Sequence, residues 1–262
     1  MKILVTGASG FIGSALVKSL SLVKHFEVVG LVRAKKNCLD NPNIEYRLGE
    51  LGCTADIKLD LTDIDVIVHT AGRAHVMKET ALNAMAEFRR VNTTGTLDLA
   101  RSAIESGVKR FIFLSSIKVN GESTSLGNPF SSISEVKPKD AYGVSKHEAE
   151  EGLRKISKDK NLEVVIIRPP LVYGPGVKGN FNTILKFMSS GIPLPLASIN
   201  KNKRSMVSLT NLISLIIKCC YHPNAKNKTF LVSDDSDVST AELFRKVGDS
   251  VGRPARLFHF PG

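Results

Sequence analysis

Three observations predict an α/β chain built as a doubly wound parallel sheet with a smaller C-terminal lobe. Short, almost wholly apolar runs alternate with stretches of helical periodicity. A glycine-rich turn separates the first run from the first helical stretch. Proline and glycine clusters loosen the pattern beyond position 169.

The elements follow in order. Ile3 to Val5 is apolar and ends in glycines, and Phe11 to Leu22 carries apolar residues at helical spacing. Glu27 to Val32, Val66 to Val68, Phe111 to Leu114 and Val164 to Ile167 are further strand-like runs. Helical stretches lie between them, near Glu79 to Ser106 and Ala141 to Ser157. Strands this apolar suit a parallel sheet covered on both faces, and the alternation implies right-handed crossovers. Pro169-Pro170, Gly174-Pro175-Gly176 and Gly191-Ile192-Pro193 then break the chain repeatedly. Residues 1–170 read as one domain. Residues 171–262 read as a lobe interleaved with it, with helices near Asn180 to Ser189, Thr210 to Tyr221 and Ser239 to Val251.

Composition excludes several classes. The 262 residues are 42% hydrophobic and 23% charged, which rules out a disordered or collagen-like chain. No run of apolar residues is long enough to span a bilayer, so membrane insertion is not expected. The opening Met1 to Gly7 meets a glycine too early for a secretory signal, and a cytoplasmic protein is expected. Cys38, Cys53, Cys219 and Cys220 form no C-x-x-C pair and have no His-rich partner segment, which implies reduced thiols and no metal site. A net charge of +11 would suit nucleic acid, a membrane surface or an anionic small substrate. The cations are spread along the chain, however. The densest groups, Lys35-Lys36 and Lys201 to Arg204, are short and lack a recognition-helix or zinc-finger pattern, so nucleic acid is not expected.

The turn Gly7-Ala8-Ser9-Gly10-Phe11-Ile12-Gly13 follows a strand and opens a helix. Gly7 permits the turn, Gly10 lets backbone approach a pyrophosphate, and Gly13 lets the helix pack on the sheet, while the helix N-terminus faces the phosphate charge. The spacing is G-x-x-G-x-x-G rather than G-x-G-x-x-G, and its placement predicts a dinucleotide site. An acidic residue about 20 positions on would bind the ribose 2′-hydroxyl of NAD. Arg33 stands there instead, followed by Lys35 and Lys36. A cation suits a 2′-phosphate, so NADP is favoured over NAD. The competing reading makes Arg33 a solvated surface charge.

Tyr142-Gly143-Val144-Ser145-Lys146 places Tyr142 and Lys146 four apart, on one face of a helix. A phenol titrates near pH 10, and a neighbouring ammonium would favour the phenolate. Tyr142 could then exchange a proton with a substrate hydroxyl during hydride transfer. Ser116 follows the run Phe111 to Leu114, at the sheet edge where open α/β folds bind ligands, and its hydroxyl could hold the reacting oxygen.

The glycine turn, Asn92, Ser116 and the Tyr142/Lys146 pair, in this order, resemble the extended short-chain dehydrogenases/reductases. More narrowly, the chain is similar to the NAD-dependent epimerase/dehydratase group acting on nucleotide sugars. Supporting segments are Asp65 to Ala71, Val91 to Thr96, Ser115 to Gly121 and Arg168 to Gly176, and the resemblance runs from Met1 to about Arg256. It implies a Rossmann-like domain and a lobe closing over the sugar nucleotide. It implies that Gly7, Gly10 and Gly13, with the backbone of Phe11 and Ile12, hold the pyrophosphate. Glu50-Leu51 would stand near adenine, with Glu where the family usually has Asp. Ala71 and Gly72 would line the nicotinamide side, Lys146 would bind its ribose, and the backbone at Pro169 would meet its carboxamide. Asn180 would contact the uridine diphosphate, and Arg204 would pair with its diphosphate as a guanidinium fork does. A homodimer through paired helices is implied by resemblance alone. Family chains run some tens of residues past the place of Gly262, which implies a less closed lobe.

Dehydratases of this group carry a Thr-Asp-Glu triplet whose acidic pair removes water. Ser116-Ile117-Lys118 stands in its place and offers neither acid nor base. A 4-epimerase and an NADPH-dependent 4-keto reductase of a UDP-hexose are then left. The loop Gly72 to Lys78 and the segment Ser115 to Gly121 are similar to a subgroup commonly labelled UDP-glucose 4-epimerase, while Arg33 fits net reduction. His75 and Lys118 are further substrate-side candidates; a packed or solvated loop histidine is the plainer reading of His75. A cofactor-binding but catalytically idle regulator is the third reading.

Overall fold

The computed structural model describes residues 1–35, 38–51, 59–74, 83–125, 127–158, 160–177 and 180–259. Among these, seven strands form one parallel sheet in the order β3-β2-β1-β4-β5-β6-β9. They are β1 (Lys2–Thr6), β2 (Glu27–Val32), β3 (Ile44–Leu48), β4 (Val66–His69), β5 (Arg110–Leu114), β6 (Glu163–Arg168) and β9 (Thr229–Leu231). β7 (Leu171–Tyr173) and β8 (Met206–Ser208) pair separately, also in parallel.

The helices are α1 (Phe11–Leu20), α2 (Ala84–Phe88), α3 (Gly95–Glu105), α4 (Ala141–Lys158), α5 (Asn180–Ser190), α6 (Leu209–Tyr221) and α7 (Thr240–Ser250). The single helix expected from Glu79 to Ser106 is instead α2, a π-helical turn over Arg89–Thr94, and α3, with positions 79–82 outside the described residues. Strands β3, β7, β8 and β9 lie outside the predicted runs. They are short or edge elements, and β3 mixes charge with apolar residues (Ile-Glu-Tyr-Arg-Leu), which hides it from a search for wholly apolar runs.

Two compact units emerge. The first comprises Met1–Pro169 with Leu212–Val232, and the second Pro170–Asn211 with Ser233–Gly262. In the first, Leu4, Val29, Ile67, Phe111, Phe113 and Ile166 of the sheet pack with Leu99, Ala103, Ala149 and Leu153 of α3 and α4. A fully buried side chain of this kind contributes about 1.5–3 kcal/mol by leaving water. The second unit has its own core of Met188, Val238, Leu243 and Val247.

Strand order decides where the first unit can hold a ligand. The chain winds outward from β1 to β3, then returns to place β4 on the other flank of β1. That reversal opens a crevice at the carboxyl ends of β1 and β4. Thr6-Gly7 and His69 to Gly72 end those two strands.

Candidate active site

The glycine turn sits at that crevice. Gly7 adopts φ +67°, and a Cβ there would stand 2.9 Å from the Ala71 backbone. A Cβ on Gly13 would stand 2.1 Å from the Gly7 carbonyl, so no other residue lets α1 seat against the strand end. Gly10 N–H donates to the Gly7 carbonyl at 2.8 Å and closes the turn. The N-cap Gly10 supplies no side-chain cap to α1, and its first turn holds no acidic residue. The N–H groups of Phe11 and Ile12 therefore sit at a helix end suited to an anion. A dinucleotide pyrophosphate fits this cradle.

Across the crevice, Ala71 N–H donates to Thr6 Oγ1 at 3.2 Å. Gly72 follows, beside two side chains from other elements: a Cβ on Gly72 would stand 3.2 Å from Asn92 Oδ1 and 3.3 Å from Lys146 Nζ. Asn92 lies in the π-helical turn and is buried. Its amide exchanges hydrogen bonds with the Arg73 backbone, accepting at 2.8 Å and donating at 3.0 Å, and also donates to Ser145 Oγ at 3.0 Å. Wider π turns of this kind recur at functional sites.

Helix α4 carries the proposed chemistry. Asp140 Oδ1 accepts from Gly143 N–H at 2.6 Å and so caps its first turn. Gly143, Lys146, Ala149, Glu150 and Leu153 recur at helical spacing on its buried face. Two charged groups in an otherwise small and apolar stripe mark a polar site. Lys146 Nζ donates to the Leu114 carbonyl at 2.9 Å and stands 4.5 Å from the centre of the Phe113 ring. Burial pulls its pKa down to about 8, against the pull of Glu150.

Tyr142 lies near the Ser116 side chain. Ser116 itself ends β5 and caps a short 3-10 helix, Ile117–Val119, by accepting from Lys118 N–H at 3.2 Å. Tyr142 also meets the Phe88 ring edge-on, 6.2 Å between centres. The expected lowering of the phenol pKa is overturned. Burial pushes Tyr142 up to about 12, Ser116 opposes this, and the nearby charges are Asp140, which raises it, and Lys118, which lowers it. The amine expected to act on it, Lys146, is turned onto the Leu114 carbonyl.

The other expected residues are placed as follows. The Arg33 side chain is 80% exposed and lies 3.8 Å from Glu50 Oε1, so both charges sit beyond the end of β2. Leu51 packs on the main core. Pro169 is buried, and its carbonyl accepts from Ile117 N–H at 3.0 Å. Lys118 Nζ is held by Asp140 at 2.5 Å and Glu122 at 3.1 Å. Asn180 opens α5 and Arg204 is exposed; both belong to the second unit. His75 and Cys53 lie outside the described residues. Cys219 and Cys220 are buried and Cys38 is half-buried, all three as thiols.

Beneath the site is a network the sequence reading passed over. Glu150 and Arg168 are both buried and bridged at 2.5 and 2.8 Å. Glu150 also accepts from Ser115 Oγ at 2.6 Å, and Arg168 donates to Asn120 Oδ1 at 3.0 Å. The pair fastens α4 to the ends of β5 and β6. Its signal was present: Glu150 lies four residues past Lys146, in the same buried stripe.

Comparison with known proteins places the chain in a family. The family model described as "NAD dependent epimerase/dehydratase family" matches residues 3–233. A Vibrio cholerae protein named UDP-glucose 4-epimerase is 50% identical over 252 residues, covering 96% of this chain and 76% of its own. A Mus musculus dTDP-D-glucose 4,6-dehydratase is 27% identical, covering 89% of this chain and 62% of its own. Among solved structures, a UDP-glucuronic acid 4-epimerase from Bacillus cereus, in complex with UDP-glucuronic acid and NAD, superposes with a TM-score of 0.85. Its identity is 22%, over 100% of this chain and 87% of that one. With a family model spanning most of the sequence and a relative 50% identical over nearly all of it, the chain belongs to the NAD-dependent epimerase/dehydratase family.

Proposed function

We propose that this protein is a 4-epimerase of a UDP-hexose, UDP-glucose or UDP-GlcNAc. The observation that carries the reading is the placing of Tyr142, on the first turn of α4, near Ser116 at the carboxyl edge of the sheet, in a chain half identical to a protein named UDP-glucose 4-epimerase. Gly7, Gly10 and Gly13, with the backbone of Phe11 and Ile12, hold the dinucleotide pyrophosphate. Glu50-Leu51 lies by the adenine. Ala71, Gly72, Asn92 and the backbone at Pro169 surround the nicotinamide, and Lys146 takes its ribose. Asn180 and Arg204 of the lobe, 171–262, hold the uridine diphosphate.

A dinucleotide held by these residues would supply the hydride acceptor. The chain does the remainder. Ser116 would donate a hydrogen bond to the oxygen on C4, and Tyr142, as its phenolate, would take that hydroxyl's proton as hydride leaves C4. After the keto sugar presents its other face, the Tyr142 phenol would return the proton to the C4 oxygen. Dehydration is disfavoured because Ile117 is apolar and the Lys118 ammonium is bound to two carboxylates.

The exposed Arg33 favours a second reading, an NADPH-dependent 4-keto reductase. Its guanidinium would take a 2′-phosphate. Incubation with UDP-glucose, UDP-GlcNAc or a UDP-4-keto-6-deoxy sugar, with and without NADPH, separates the two. Isomer formation without added coenzyme supports the epimerase. Stoichiometric loss of NADPH absorbance supports the reductase. Tyr142→Phe should lower either turnover by at least about 10²-fold; undiminished turnover would remove its assigned role.

A further inference from the structure

An ion pair that no step above uses stands between the 3-10 helix and α4. Lys118 Nζ lies 2.5 Å from Asp140 Oδ2 and 3.1 Å from Glu122 Oε1. One partner's backbone meets the Ser116 hydroxyl, and the other partner caps the helical turn that carries Tyr142. The N–H of Lys118 donates to Ser116 Oγ at 3.2 Å. The other oxygen of Asp140 caps the helical turn that carries Tyr142, at 2.6 Å from Gly143 N. Close approach of the two elements depends on Gly143, where a Cβ would stand 2.9 Å from the Lys118 carbonyl.

We propose that Lys118 and Asp140 are positioning residues that together set the protonation of Tyr142. The Asp140 carboxylate holds the proton on the phenol, the Lys118 ammonium draws it off, and their balance fixes the pH at which Tyr142 becomes a base. This rests on reading Tyr142 as the proton acceptor, and it gives Lys118 a role other than binding substrate.

The surroundings of Tyr142 support the assignment. From the 3-10 helix comes Lys118, with Glu122 acting through it. Just before α4, Asp140 precedes the phenol, and on α4 Lys146 follows one turn on, its amine held by the Leu114 carbonyl. From α2 comes the neutral Phe88 ring, with the Arg73 guanidinium 5.6 Å from its centre. The charges that act directly on the phenol are those of Asp140 and Lys118, with opposite sign. At a half-buried site one such charge is worth about one pH unit.

The test uses Lys118→Met, Asp140→Asn and the double variant in the full chain with its dinucleotide. Asparagine keeps an oxygen to cap Gly143. Two readouts are taken: the acid limb of the kcat–pH profile, and the phenolate absorbance titration, each variant against the same variant carrying Tyr142→Phe. Removing the ammonium should move both upward by about one pH unit, a roughly tenfold loss of kcat below the limb. Removing the carboxylate should move both downward by a similar amount, and the double variant should return close to the parent. Lys118→Arg should keep the parent profile. A purely structural role would lower activity in both single variants without opposed displacements. Unmoved titrations, or displacements of one sign, overturn the proposal. Full turnover by Tyr142→Phe would instead sink the catalytic reading, and the absorbance titration would still decide this one.

Discussion

His69, at the end of β4, is fully enclosed between Thr6 Oγ1 at 2.7 Å and Thr96 Oγ1 at 2.9 Å. Thr96 Oγ1 already donates to the Asn92 carbonyl at 2.7 Å, so it must accept from His69. The ring proton therefore sits on Nε2, and Nδ1 accepts from Thr6. This fixed neutral ring joins the strand that ends in the glycine turn to the π-helical turn of Asn92. Burial, with Lys146 nearby, pulls its pKa from 6.5 to about 3. Below pH 6.5 the unfolded chain binds a proton that the folded chain refuses. Stability should then fall as pH falls from about 6.5 toward 3, by roughly 2 kcal/mol between pH 7 and pH 5. Urea denaturation at the two pH values checks this, and His69→Gln should flatten the difference. Arg33 makes a different prediction. Arg33→Ala should weaken NADP(H) by about tenfold and leave NAD(H) nearly unchanged, read by fluorescence titration. Unchanged affinity for both would make it a solvated surface charge.

Helix α4 shows how much of the site the sequence revealed. Tyr142 and Lys146 were visible because helical periodicity fixes which residues share a face, and that needs no tertiary information. The state of Tyr142 was not visible, because it depends on Ser116, Asp140 and Lys118, and two of these arrive from another element. Asn92 was quoted in the motif, but its π-helical turn depends on hydrogen bonds to Ser145 and Arg73 that join distant segments. The Glu150–Arg168 pair is the same kind of long-range feature. Burial alone would raise the Glu150 carboxyl, yet Arg168, Ser115 and Arg154 hold it below its ordinary value. The pair therefore stabilises the fold above the ordinary carboxyl range and loses that contribution as pH falls through it. Arg168→Met would leave the buried carboxylate with only the part-exposed Arg154 as a charge partner and should cost about 3–5 kcal/mol. Adding Glu150→Met should recover much of that loss in a double-mutant cycle, and additive losses would argue against coupling.

Over the whole chain, the central strands were legible because each is nearly all apolar, as a sheet covered on both faces requires. The edge strands β3 and β9 were not, because among the described residues one flank of each lacks a neighbour and their sequences relax accordingly. The return of Leu212–Val232 to the first unit was also hidden, since no local pattern announces which core a late segment joins. Among the described residues no helix is long and apolar enough to cross a membrane. The winding reversal between β1 and β4 brings the glycine turn and Gly72 to one crevice, and β5 delivers Ser116 beside α4. That architecture suits hydride chemistry in which the removed hydride is retained and returned. UDP-glucose carrying deuterium at C4, incubated with the protein and no added coenzyme, tests this most directly. The account predicts the C4 epimer with deuterium still at C4. Epimer with the label lost to solvent, or no epimer from protein that holds its dinucleotide, would contradict it.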